Sequence, residues 1–217
     1  MRAGVVAVLC VAVMCGWAHA GEERNAQPFA NLEEIIIVCK QHYDLGYTAL
    51  ASEVLDHYRT TMMDQALTLC DATAELPKEH RFVWTLPSWP LAQMLGREQT
   101  PERRARIVAA LEEGRFVPHA LPATLHTESL DLEDVVRGLE WAVKLSREYG
   151  LPLPRDAKMT DVPSHVWLLP TVLAHAGIEF FHFAGNEACR PPEVPRLFWW
   201  EGPDGSRVLT MHTVGYG

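Results

Sequence analysis

The chain has 217 residues, of which 48% are hydrophobic and 22% charged; this is an ordinary globular composition with enough length for one sizeable core. A formal net charge of -9 argues against a nucleic-acid partner, since proteins that bind a phosphate backbone present a basic face. A neutral ligand such as a sugar is compatible with that charge.

The chain opens with Arg2, an apolar run from Val5 to Val13, and Ala18-His19-Ala20, a small-x-small cleavage pattern. Residues 1–20 therefore read as an export signal cut after Ala20, and the mature protein is expected in the periplasm or outside the cell. A membrane anchor needs about 20 consecutive apolar residues, and this run is shorter and interrupted by Cys15, Gly16 and His19. Lipidation is disfavoured because Cys15 follows Met14 rather than a small residue. Removing the signal leaves Cys39, Cys70 and Cys189, too sparse and uneven a set for a disulfide framework. Residues 21–32 read as a polar linker, and residues 33–217 as one domain. No later run is long enough to span a bilayer.

The domain begins with Glu34 to Cys39, a β-branched run that predicts a strand buried on both faces. From Thr48 to Leu69, Leu50, Val54, Leu55, Tyr58, Met62 and Leu69 recur at helical spacing. Arg81 to Trp84 predicts a second strand. Thr100-Pro101 marks a helix start, with Thr as cap and Pro at the first helical position, and Gly114 stops that helix. A third strand follows at Arg115 to Val117, then a long helix from Ser129 to Tyr149 closed by Gly150. Ala157 to Thr160 is a fourth strand, Val166 to Ala176 a helix and Ile178 to Phe183 a fifth strand. Leu197 to Glu201 and Arg207 to His212 flank Pro203-Asp204-Gly205, a hairpin signal.

Alternating strands and helices predict an α/β fold with a parallel sheet, either a β/α barrel or a doubly wound sheet. Five strand–helix units and a hairpin are too few to close an eight-unit barrel of about 250 residues, so an incomplete barrel is expected.

Two places gather residues suited to chemistry. His42 and Asp44 stand two apart just beyond the first strand, so both point to one side. An imidazole and a carboxylate sharing a direction suit zinc, although such a triplet also occurs in plain polar loops. Met159 to His165 covers the passage from the fourth strand to its helix and carries Asp161 on the same C-terminal face, where β/α barrels hold their active sites. Asp161 or Ser164 serving as a helix cap is the competing reading.

Together these segments resemble glycoside hydrolase family 38, the α-mannosidases. His42-Tyr43-Asp44-Leu45-Gly46-Tyr47 is similar to the family's His-x-Asp-Pro-Gly-Trp. Asp161-Val162-Pro163-Ser164-His165, followed by Leu173-Ala174-His175-Ala176-Gly177-Ile178, resembles its Asp-Pro-Phe-Gly-His segment and the helix and apolar-Ala-Gly-Phe phrase beyond. Phe198 to Ser206 is similar to the family's later hairpin, so the likeness runs from about Ile35 to the end.

The resemblance implies a seven-stranded β/α barrel of the glycoside hydrolase/deacetylase type, present here in part. It further implies zinc held by His42, Asp44 and Asp161 with one more His from beyond this chain, and retaining hydrolysis of α-mannosides or related glycosides with Asp161 as nucleophile. Retaining enzymes place a carboxylate nucleophile about 5 to 5.5 Å from an acid, and zinc would act as a template for sugar hydroxyls. The likeness departs at Val162 and Ser164, which replace Pro and Gly, and the family's general acid has no counterpart.

Glu128 and Trp84 are further candidates for sugar contact, against a helix-start role for Glu128 and core packing for Trp84; Trp89 belongs with Trp84. His165 and His182 read as interior histidines, and His212 does not match the family's last ligand. His and carboxylate donors also suit manganese or cobalt. No His-x-x-x-His pair, His-Glu-x-x-His motif, Gly-rich phosphate loop or Gly-x-Ser-x-Gly elbow is present. The competing class is an exported carbohydrate-binding or degenerate glycosidase-like protein without the acid.

Overall fold

The computed structural model describes residues 33–186, 188–190 and 192–213. The expected signal and linker, residues 1–32, lie outside them. From Ile37 onward the chain is one compact unit. Its seven strands are β1 (Cys39–Lys40), β2 (Trp84–Pro87), β3 (Phe116–His119), β4 (Asp156–Val162), β5 (Phe180–Gly185), β6 (Leu197–Glu201) and β7 (Arg207–Thr213). Its helices are α1 (Ala51–His57), α2 (Met63–Ala72), α3 (Ser88–Met94), α4 (Pro101–Glu112), α5 (Leu132–Gly138), α6 (Glu140–Tyr149) and α7 (Leu169–His175).

The strands form two sheets, ordered β1-β2-β3 and β4-β5-β7-β6. Every pairing is parallel except that of β6 with β7. Between the sheets, the Ala120 amide donates to the Asp156 carbonyl at 3.0 Å, so β3 runs beside β4. A mixed α/β fold with helices in the crossovers is thus present. The seven strands do not close: among the described residues they make an open arrangement of three and four strands rather than a seven-stranded barrel.

One apolar core packs β2 and β3 with α1 to α4 and α6, including Met63, Leu86, Leu91, Ile107 and Phe116; a second holds β4, β5 and α7, including Met159, Leu173 and Phe181. Arg115 ties the first core together. Its guanidinium donates to the carbonyls of Phe82 (2.7 Å) and Cys70 (3.1 Å) and to the Thr73 hydroxyl (2.6 Å). It thereby adds a charged donor to a carbonyl in the last turn of α2, which also accepts from the Thr73 amide at 3.3 Å. Cys70 and Cys189 are free thiols among the described residues, and no described helix is long and apolar enough to cross a membrane.

Three elements differ from their sequence patterns. The strand expected over Glu34 to Cys39 is paired only at Cys39 and Lys40; Ile37 and Val38 are 65% and 61% exposed. Their β-branched character is that of a central strand, but β2 reaches only the last two residues. The helix expected from Ser129 to Tyr149 is split at Leu139 into α5 and α6. The turn before this break packs so closely on Pro122 that a Cβ at Gly138 would come within 3.0 Å of its ring. Gly150 ends α6 in the left-handed region at φ 65°, where a residue lacking Cβ carries no steric penalty.

The third difference is a change of phase. Between α1 and α2 lies one π turn, Tyr58–Met62, which adds a residue to the helical repeat. Val54 and Tyr58 are buried four apart, and the next buried residue is Met63, five further on, with Ala66, Leu67 and Cys70 following. Period 3.6 alone puts Met62 in that stripe. The expected helix start at Thr100 is present, its hydroxyl accepting from the Arg103 amide at 3.2 Å.

Met63→Ala is expected to cost about 2–5 kcal/mol of stability, the scale of a buried large-to-small change, and Met62→Ala distinctly less. Urea denaturation midpoints of the two variants test this; the opposite ranking would contradict the π turn.

Candidate functional site

The site begins where β1 gives out. Alternation past the strand end sends Tyr43 one way and His42 and Asp44 the other. Tyr43 is buried in the first core, edge-on to Tyr58 with ring centroids 4.5 Å apart, and burial pushes its phenol up to about 12. The Tyr58 hydroxyl donates to the His42 carbonyl at 2.8 Å. The π turn thus fixes the backbone from which His42 projects.

Asp161 is placed by an irregularity in β4. The register with β5 shifts between Thr160 and Val162, leaving Asp161 as the extra residue of a bulge. It is the one non-glycine among the described residues with positive φ, at 65°. A bulge re-aims a side chain, and a non-glycine held in that region costs of order 1–3 kcal/mol, which the surrounding structure must offset. Here the carboxylate is gripped on both oxygens. The Asn186 side-chain amide donates to Oδ1 at 2.6 Å, and His42 Nε2 stands 3.4 Å from Oδ2. On the other side of the ring, His42 Nδ1 lies 3.2 Å from the Thr160 hydroxyl. That hydroxyl accommodates either tautomer, so Nε2 is the nitrogen that faces the carboxylate.

Burial lowers the His42 pKa, while Asp161 and then Asp44 pull it back up and Lys40 lowers it slightly. The imidazole is therefore held neutral around pH 7, the form that ligates a metal. The chemistry of the donors fits zinc at this pair. Two ligands about 2.0 to 2.1 Å from a tetrahedral ion stand roughly 3.3 Å apart, close to the observed 3.4 Å. Asp44 acts on His42 electrostatically, yet no group of three metal-ligating side chains is assembled among the described residues. His42 and Asp161 come together.

The other candidates fall as follows. Trp84 is 4% exposed and edge-on to Phe116, a core residue with no ring face open to a sugar. Trp89 packs against Tyr43. Glu128 is exposed and its carboxylate contacts the Ser164 hydroxyl, joining the loops after β3 and β4. His165 lies among Phe181, Phe183 and Trp200, an interior residue as expected. His212 is buried against Phe183. Neither Asp161 nor Ser164 caps a helix, since α7 starts only after Leu168 and has no side-chain cap. Asn186 was not among the sequence candidates; its one signal was a polar residue just past the C-terminal end of a strand.

Residues 33–216 match the model of the glycosyl hydrolases family 38 N-terminal domain, and the chain belongs to that family. An α-mannosidase from Enterococcus faecalis V583 superposes with TM-score 0.61 at 18% identity, over 81% of this chain and 19% of its own. A family 38 protein from Enterococcus faecalis gives TM-score 0.55 at 17% identity, over 80% of this chain and 18% of its own. A 4-α-glucanotransferase from Thermococcus litoralis gives 0.53 at 13% identity, over 82% and 27%. At such identities the likeness is one of fold, and this chain spans about a fifth of the length of the first two. No curated protein matches.

His165 yields a pH test. Burial pushes it down to about 4 from 6.5, with His126 adding to the shift. A histidine with a depressed folded pKa takes up its proton first in the unfolded chain, so stability falls as pH drops from about 6.5 toward 4. His165→Phe, which suits its aromatic surroundings, is expected to flatten this loss. Urea midpoints at pH 7 and pH 4.5 test it, and an equal acid sensitivity in the variant would contradict the assignment.

Proposed function

We propose that the chain contributes the metal-binding and nucleophile-bearing part of a zinc-dependent retaining glycoside hydrolase acting on α-mannosides or related glycosides. The observation that carries this reading is the strained Asp161, oriented by Asn186 and facing His42, in a chain of family 38. The parallel order β1-β2-β3 and β4-β5-β7 supports reading the two sheets as an open portion of a β/α barrel.

In this reading His42 and Asp161 would hold the zinc, with Asp44 completing the set. Zinc bound there would supply a template for sugar hydroxyls and a bias toward a distorted ring. One Asp161 oxygen attacks the anomeric carbon while the bond to the leaving group breaks, giving a glycosyl ester. Water then hydrolyses the ester, and two inversions leave the configuration retained. Asn186, donating to Oδ1, fixes the carboxylate plane and spares the reaction the cost of orienting it. His42 contributes a neutral ring whose Nε2 stays beside the carboxylate. The general acid belongs outside this chain's described residues.

We further propose export, with residues 1–20 as the signal; N-terminal sequencing of the secreted protein beginning at Gly21 supports it, and an intact Met1 contradicts it. A second reading is an exported carbohydrate-binding or degenerate glycosidase-like protein without catalysis.

Zinc content measured by mass spectrometry, together with hydrolysis of a chromogenic α-mannoside, separates the two. Near-stoichiometric zinc in the parent is expected, falling at least tenfold in His42→Ala and Asp161→Asn, with turnover lost in Asp161→Asn. Zinc with no turnover favours the binding reading; no zinc in the parent overturns the metal site.

A further inference from the structure

Past Asp161 the chain leaves the sheet on a strap, Pro163 to Leu168, that belongs to no strand or helix before α7 begins at Leu169. A strained residue persists only where both of its flanks are held. On its N-terminal side Asp161 has the ladder with β5, in register from Asp156 to Thr160. On its C-terminal side the backbone hold is slighter. Val162 pairs with Gly185 beyond the register shift, and its carbonyl accepts from the Asn186 amide at 3.3 Å, long for such a bond.

The strap itself is held by another loop, the one after β3, which makes a single 3₁₀ turn at Thr127–Ser129. Thr127 is 1% exposed. Its hydroxyl oxygen accepts from the Val166 amide at 3.0 Å and lies 3.4 Å from His165 Nδ1. Glu128, next in sequence and exposed, meets the Ser164 hydroxyl, and a hydrogen bond to a carboxylate is among the stronger kinds. Two consecutive residues of one loop thus engage Ser164, His165 and Val166 of the other. Apolar packing does not fix the strap at this point. Thr127 and Val166 border a cavity of about 220 Å³, walled by Leu130, Leu132, Leu168 and Val172, so a strap released from the hydroxyl has room to move.

We propose that Thr127 and Glu128 are positioning residues for Asp161: by pinning Val166 and Ser164 they hold the chain beyond the bulge and keep the carboxylate turned toward His42. Neither residue touches a reacting atom in this scheme; both act through the strap. Thr127 is the principal pin, because its hydroxyl is buried and serves a backbone amide, whereas the Glu128 contact lies in solvent. The proposal rests on reading Asp161 as nucleophile and zinc ligand, but the hold on the bulge has readouts that need neither zinc nor turnover.

Those readouts come from NMR of the intact, metal-free chain. Thr127→Val keeps the side-chain shape and removes the acceptor. It is expected to speed hydrogen exchange of the Val166 and Asn186 amides about tenfold or more, the scale of one lost hydrogen bond, to leave the β7 amides at parent rates, and to shift the His42 ring resonances. Thr127→Ser, which keeps the hydroxyl, should restore the parent pattern, and Glu128→Ala should act in the same direction but less. In zinc-loaded protein, Thr127→Val should lower kcat on an aryl α-mannoside about tenfold or more with KM nearly unchanged, since a misplaced group costs rate rather than binding. Exchange that rises equally in β7 marks a role in stability alone and overturns the proposal, as do unmoved His42 resonances or an unchanged kcat in an active parent. A parent without zinc or turnover counts against the glycosidase reading, and the exchange and His42 results then decide the proposal by themselves.

Discussion

The left-handed backbone of Asp161 is the constraint on which the site depends. Continuing β4 in regular register would keep Asp161 in the alternation of the strand. The bulge removes one residue from the ladder with β5 and turns the carboxylate to meet His42 and Asn186. Such a conformation persists only where its surroundings determine it. Here the parallel ladders β4-β5-β7 and the core beneath them, with Met159, Val162 and Phe181 buried, supply that rigidity. On the other side, the Tyr58 hydroxyl and the buried Tyr43 hold His42 in place. Each half of the pair is thus anchored by a different core.

Much of the fold was legible because local signals were strong. The Thr100-Pro101 start, the Gly150 stop and the hairpin around Pro203-Asp204-Gly205 each depend on a few neighbouring residues, and each is present. What was not legible depends on tertiary partners. Nothing in Ile37-Val38 tells how far a neighbouring strand will extend, and a run written for burial is exposed where β2 does not reach it. The π turn at Tyr58–Met62 changes which methionine faces the core without any signature in composition. The split at Leu139 lies beside the close approach of Pro122 to Gly138, sixteen positions apart in the sequence and so beyond any local pattern.

The site shows the same division. His42 and Asp161 were accessible from strand ends and the family likeness, and they are adjacent. Asp44 was accessible by the same argument, and it acts on His42 electrostatically. Asn186 reaches Asp161 through the pairing of β4 with β5, and Thr127 reaches the strap beyond it from the loop after β3, partners that sequence spacing does not encode.

The central claim is that Asp161 is poised as a nucleophile, and covalent trapping tests it most directly. A fluorinated α-mannosyl fluoride carries a leaving group that needs no protonation, so no general acid is required. Peptide mass spectrometry after incubation with zinc should find a glycosyl adduct on Asp161, absent from Asp161→Asn. A labelled residue elsewhere, or no adduct in zinc-loaded protein, would contradict the account.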